Sequence, residues 1–304
     1  MFYLIIIKKK RKNSHQTRKY ANVDWILIRK TKNISTFGLS NLHFRKQEMS
    51  QNNANFMSSV PVVTRNILII NVLVYLADSL LSKDGTMVNY LGLHYFASES
   101  FWPHQIITCM FMHGSIPHLF FNMFAVFMFG RTLEMIWGPK KFLVYYMLAG
   151  VGASLLQLFV MYLRIQNIEA NIPPEVLPQV LEKIRFEGLE LLMSNKNYAD
   201  PTLGDLNLLI NGVMVGASGA VFGILVAFGM LFPNTELMLI FPPIPIKAKW
   251  FVIGYGVLEL TLGVADRAGD NVAHFAHLGG LLVGLIILLY WRKKGFMTNG
   301  NLFK

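Results

Sequence analysis

The sequence predicts an all-α membrane protein, a bundle of six transmembrane helices with an amphipathic helix inserted between the third and fourth. Three observations predict it. Of 304 residues, 53% are hydrophobic and only 15% charged, against about 25% charged in an average globular chain. Six stretches have the apolar length that a hydrocarbon core about 30 Å thick asks of a helix. Lys and Arg gather in alternate connections between them, the pattern that orients a polytopic chain.

The spans are expected near residues 65–82, 106–130, 141–163, 209–232, 250–265 and 272–291. Gly138-Pro139 stops the second, and Pro242-Pro243-Ile244-Pro245 separates the fourth from the fifth, because proline cannot continue a helix. Arg131, Lys140 and Lys141 follow span two, Lys247 and Lys249 precede span five, and Arg292, Lys293 and Lys294 follow span six. Those ends are expected in the cytoplasm. The alternate connections hold less positive charge: Lys83 in the first, and Arg267 between Asp266 and Asp270 in the last. The membrane domain is thus expected over 60–292, with both termini cytoplasmic and 293–304 a short tail, in a bacterial cytoplasmic (inner) membrane.

The formal charge of +11 is misleading about partners. Residues 1–48 hold 12 of the 28 Lys and Arg and 2 of the 17 Asp and Glu, which leaves the remainder nearly neutral. The run Lys8, Lys9, Lys10, Arg11, Lys12 reads as a cytoplasmic or headgroup-facing tail, and no nucleic-acid motif accompanies it. Residues 1–57 are set apart as a basic tail and expected to reflect an upstream start codon, with Met49 or Met57 beginning the protein. Cys109 is the single cysteine, which excludes an intrachain disulfide and a cysteine-based zinc site.

The connection 164–208 carries four basic and seven acidic residues, consistent with an outer location. After Pro173-Pro174, Leu177, Val180, Leu181, Ile184 and Leu191 recur on one helical face. An amphipathic helix on the outer membrane surface is expected, with Gly188 interrupting its apolar face.

Polar residues inside spans are expensive and default to function. His118 and Asn122, four apart, share a helix face. Ser218 stands in Gly216-Ala217-Ser218-Gly219 and His277 in Ala276-His277-Leu278-Gly279-Gly280. Under the expected orientation all four fall in the outer halves of parallel spans, with Ser218 and His277 about 7–14 Å below the helix ends. A serine hydroxyl needs a base to become a nucleophile, and a neutral histidine suits that task. The Ser218 N–H, His118 and Asn122 are available as donors to an oxyanion, and the glycines beside Ser218, Gly216 among them, leave the hydroxyl uncovered. No acid lies near His277 within its span, so a Ser218–His277 dyad is expected rather than a triad. Gly280 and Gly284 form a small-xxx-small pair that Ala220 and Gly223 could face.

Other readings compete. His113, His118, His274 and His277 could ligate a metal, although no H-E-x-x-H is present, and the expectation is no metal. Glu134 and Glu259 fit a structural ion pair or cap. A transporter would place charges near the midplane of several spans, and only Glu259 comes near that description.

With His113-Gly114-Ser115, His118-Leu119-Phe120-Phe121-Asn122-Met123, Gly130, Glu134, Gly138, Gly216-Ala217-Ser218-Gly219-Ala220 and Ala276 through Gly284 in view, the chain resembles rhomboid intramembrane serine proteases of bacterial type over roughly 60–292. The resemblance implies a rhomboid-like six-helix core, a Ser-His dyad on Ser218 and His277, and an oxyanion site from the Ser218 N–H, His118 and Asn122. It implies no cofactor, and a transmembrane protein substrate cut within the lipid bilayer. Two positions depart from the family pattern. His104-Gln105 stands where many members carry Trp-Arg, and Phe222 stands where many carry a tyrosine that stacks on the histidine. The rival reading is a proteolytically inactive relative that binds membrane clients.

Overall fold

The computed structural model describes residues 5–8, 59–82, 85–239, 244–265 and 274–296. The connection holding Asp266, Arg267 and Asp270, together with Lys83, Pro242-Pro243 and most of the basic tail, lies outside the described residues.

The elements in chain order are strand β1 (Ile5–Lys8), helices α1 (Val62–Leu81), α2 (Thr86–Leu91) and α3 (Gln105–Thr108), and α4, which runs Ile116–Trp137. There follow α5 (Pro139–Glu169), α6 (Leu177–Met193), α7 (Pro201–Asn211) and α8 (Ser218–Leu231). Strands β2 (Glu236–Leu239) and β3 (Pro245–Lys247) precede α9 (Ala248–Ala265) and α10 (His274–Lys293). The strands form one antiparallel sheet in the order β1-β2-β3, with Ile5 opposite Leu239 and Glu236 opposite Lys247. Nothing in the apolar periodicity announced it.

The chain is an all-α integral membrane protein apart from that small sheet. Among the described residues, five helices, α1, α4, α5, α9 and α10, are long and apolar enough to cross a bilayer. The fourth expected span differs. Instead of one helix over 209–232, α7 ends at Asn211, the chain runs irregularly from Gly212 to Ala217, and α8 starts at Ser218 with only 14 residues. Hydropathy cannot separate a helix from apolar irregular chain, and Val213 and Val215, β-branched, favour extended backbone. Irregular backbone is tolerated at membrane depth when protein surrounds it. Here Leu93 exchanges two hydrogen bonds of 2.9 Å with Met214, and the Gly216 N–H donates to the Cys109 carbonyl at 2.9 Å.

Span two is also divided. Its expected first part is α3 and a tight turn over Cys109–Phe111, after which α4 restarts at Ile116. Ser115 restarts it: its Oγ accepts the His118 N–H at 3.2 Å, and Pro117 sits in the first turn, where a missing N–H costs nothing. Gly138, at φ 81°, ends α4, and Pro139 opens α5.

Helix α8 is apolar on every side and buried along almost its whole length between α5 and α10, as such a helix must be. Small residues permit this. A side chain at Gly280 would strike the Gly219 carbonyl, and one at Gly284 would lie 2.6 Å from the Tyr145 hydroxyl and 3.0 Å from Gly223 Cα. Gly280 therefore meets Gly219, and Gly223, one of the two residues expected to face the pair, lies against Gly284. The Tyr145 hydroxyl donates to the Gly223 carbonyl at 2.7 Å.

Glu134 is a cap. Its Oε1 accepts from Val63 N–H at 2.9 Å, and its Oε2 accepts from the Thr64 N–H and hydroxyl, each at 2.7 Å, which satisfies donors at the start of α1. In the 164–208 insertion, α6 spans the apolar face read from the sequence, with Ile184 and Gly188 buried against α7. Gly188 is the point of closest approach rather than a flaw. Asn207 Nδ2 donates to its carbonyl at 3.1 Å, and a side chain there would collide with Asn207.

Candidate active site

Three helices begin at one place. Ser218 is the first residue of α8, His277 lies in the first turn of α10, and His118 lies in the first turn of α4. Ser218 thus opens its helix rather than lying within a span that begins at 209, and His277 comes three residues after His274, the first described residue of α10. The consequence is chemical, since the first N–H groups of a helix have no partner within it and carry the positive end of its dipole.

The Ser218 Oγ and His277 Nε2 are 2.7 Å apart. Phe222, one turn after Ser218, stacks on the His277 ring with centroids 4.5 Å apart and planes within 11°. Tyr255 of α9 lies behind Phe222 at 5.1 Å.

No acid lies near His277 within its own helix, but a carboxylate from α9 reaches it. Glu259 Oε2 lies 3.0 Å from His277 Nδ1 and 2.6 Å from His274 Nδ1. All three side chains are buried. The sequence carried a usable signal for it. Glu259 lies six residues before the end of α9 and His277 three after the start of α10. Helices joined by a short connection are antiparallel neighbours, which brings the two to similar depth.

Gly216 has φ of 130°, a backbone conformation that side chains rarely adopt, and a Cβ there would sit 2.7 Å from the His118 ring. The absence of a side chain lets His118 lie against the backbone that leads into Ser218. His113, buried, meets His118 edge-on with centroids 5.0 Å apart. Asn122 is buried one turn further on, and its Nδ2 donates to the His118 carbonyl at 3.1 Å.

Among the described residues, the four histidines are not the set whose ligand atoms come together. A different trio does offer ligand atoms within 4.8 Å of one another, namely Glu259, His274 and His277. Two imidazoles and a carboxylate suit a divalent transition ion. Here, however, the carboxylate oxygen stands at hydrogen-bond distance from both rings, so the trio is satisfied as a hydrogen-bonded chain.

Sequence reasoning also missed how the loop between α2 and α3 is held. Gln105, fully buried, accepts with Oε1 from the His94 and Trp102 N–H groups at 3.3 and 3.2 Å. Its Nε2 donates to the Ser100 carbonyl at 2.8 Å and the Asn89 carbonyl at 3.2 Å. The departure from Trp-Arg therefore leaves an ordered loop.

Fold and centre together define an all-α integral membrane protein built around a hydrogen-bonded serine and histidine at converging helix starts. A model described as Rhomboid domain matches residues 99–166 and 187–294, more than half of the chain, and the protein belongs to the rhomboid family. The unmatched stretch between them falls in the insertion that contains α6. The chain is similar to Rhomboid protein 1, mitochondrial, of Saccharomyces cerevisiae, 29% identical over 189 residues that make up 62% of this chain and 42% of that protein. It is also similar to RHOMBOID-like protein 12, mitochondrial, of Arabidopsis thaliana, 27% identical over 237 residues, 77% of this chain and 60% of that protein. A third relative is Rhomboid protease AarA of Providencia stuartii, 24% identical over 242 residues, 77% of this chain and 74% of that protein. The chain thus spans less than two thirds of the first two relatives. Mitochondrial and chloroplastic names among the relatives give no support to the expected bacterial inner membrane.

Proposed function

We propose that the protein is an intramembrane serine endopeptidase that cuts peptide bonds in or near transmembrane segments of other membrane proteins. The observation that carries this reading is the 2.7 Å contact between Ser218 Oγ and His277 Nε2, partly buried in a rhomboid-family bundle.

The steps follow from the groups present. His277 Nε2 takes the Ser218 proton as Oγ attacks the scissile carbonyl. Charge that develops on the carbonyl oxygen meets the Ser218 N–H at the start of α8, with His118 and Asn122 as further donors. The proton then passes from His277 to the leaving amine, and the acyl group stays on Ser218. Water, with His277 again as base, releases the acyl group and restores both residues. The flat stack of Phe222 keeps the His277 ring in one plane through these transfers.

In this reading α8 is the fourth of six spans in chain order, shorter than the others because it is enclosed by them. Lys140, Lys141, Lys247, Arg292 and Lys293 lie at helix ends opposite Ser218, which supports cytoplasm-like orientation of those ends and a site opening to the other side. The relatives' names support an organellar membrane. Substrate segments with small residues at the cut site are the class to test.

The test uses the full chain in liposomes with a single-span substrate. Cleavage by wild type and none by Ser218→Ala is expected, unaffected by a chelator. Equal cleavage by both proteins would sink the assignment.

A further inference from the structure

We propose that Glu259 is a positioning residue for His277, and that His274 positions Glu259 in turn. The inference rests on the reading of Ser218 and His277 given above. It extends the reacting pair into a chain, Ser218–His277–Glu259–His274, that ties α8, α10 and α9 together.

An ionised carboxylate can only accept hydrogen bonds. Glu259 Oε2 stands 3.0 Å from His277 Nδ1 and 2.6 Å from His274 Nδ1, so both rings present their proton at Nδ1. A neutral imidazole with its proton at Nδ1 has its lone pair at Nε2. In His277 that lone pair faces the Ser218 hydroxyl at 2.7 Å, the only tautomer in which the ring can accept the serine proton. The opposite tautomer would point an N–H at Oγ and leave no base.

The second histidine has a reason of its own. Glu259 is only 4% exposed, and a buried carboxylate with too few donors is costly. His274 supplies a second N–H to the same oxygen, from the same turn of α10 as His277. The carboxylate is therefore held in place whether or not His277 moves during a cycle. Glu259 fixes the His277 ring about the edge bearing Nδ1, and Phe222 fixes its plane at 11° from parallel. When His277 takes the proton, the positive ring lies between Ser218 and a carboxylate, a disposition that stabilises the imidazolium without the acid accepting the proton.

A tie that only held α9 against α10 would need the same hydrogen bonds, but it would not make kcat follow the His277 tautomer. The experiment separates the two. Full-length chain with 15N-labelled histidine, reconstituted in nanodiscs, is compared as wild type, Glu259→Gln, Glu259→Asp and Ser218→Ala. The wild-type His277 resonances are expected to report a proton at Nδ1. In Glu259→Gln the amide can donate to Nδ1, which moves the proton to Nε2. On liposome-borne single-span substrate this variant is expected to lose roughly 10²–10⁴ in kcat, as misassigned tautomers do elsewhere, with KM within about twofold. Glu259→Asp, which keeps the carboxylate, retains the Nδ1 proton and recovers at least about tenfold over Glu259→Gln.

A wild-type His277 carrying its proton at Nε2 overturns the proposal without any variant. So does a Glu259→Gln protein with kcat within about threefold of wild type, or one that is slow while its His277 proton stays at Nδ1. Undiminished cleavage by Ser218→Ala instead removes the reading of the active site, and the tautomer measurement still decides the role of Glu259.

Discussion

Ser218 Oγ and His277 Nε2 lie 2.7 Å apart although 59 residues separate them in the chain. A pair that acts as one unit should be strongly non-additive. His277→Ala alone is expected to lower kcat at least about 10³-fold, and Ser218→Ala/His277→Ala should cost little more than either alone. Single-turnover cleavage in liposomes measures this. Multiplicative losses in the double variant would contradict the pairing.

His118 and Asn122 are expected to act on the transition state rather than on binding. His118→Ala and Asn122→Ala should each reduce kcat by about 10²-fold, near 3 kcal/mol, with KM little changed. Reactivity of Ser218 toward a fluorophosphonate probe should fall in parallel. A rise in KM at constant kcat would reassign the affected residue to substrate binding.

Gly280 cannot accept a side chain without moving α8 or α10, because a Cβ would meet the Gly219 carbonyl oxygen. Backbone has nowhere to yield, and overpacking of this sort costs about 1–3 kcal/mol or more. Gly280→Leu should therefore lower Tm in detergent and abolish cleavage. Gly280→Leu with wild-type Tm and activity would be incompatible with this helix contact.

The Gln105 side chain holds five backbone groups around the loop between α2 and α3 at once. Gln105→Leu leaves buried N–H and carbonyl groups unpaired, each costing about 1–3 kcal/mol. Hydrogen exchange over 89–105 should accelerate well before exchange in α5 or α10 does. Unchanged protection would mean that the loop is held by other contacts.

His94 in the same loop is buried, and burial lowers its pKa below the ordinary histidine value of about 6.5 despite a hydrogen bond to the Asn89 carbonyl. The unfolded loop binds the proton more readily than the folded one, so stability falls as pH drops below about 6.5 toward the lowered value, and is complete above it. Exchange of the 85–108 amides, corrected for intrinsic rates, should show weaker protection at pH 5 than at pH 7.5. His94→Gln should flatten that difference.

Much of this molecule is legible from local pattern. Apolar length marked α1, α4, α5, α9 and α10, and Gly138-Pro139 marked the break between α4 and α5, because burial in lipid and proline geometry act over a few residues. His118 and Asn122 share a face by helical spacing alone. The residues Leu177, Val180, Leu181 and Ile184 drew α6 correctly, yet its partner α7 and the close approach at Gly188 depend on Asn207 and Asn211, which no periodicity links to it.

What the sequence determined by itself was the membrane class and the serine and histidine motifs with their glycines. Only the tertiary structure decided that α8 begins at Ser218, because an apolar window reads alike as helix or as irregular chain enclosed by protein. It alone decided that Glu259 meets His277, since the meeting of side chains 18 residues apart is set by how α9 packs on α10, and packing is a property of the whole bundle.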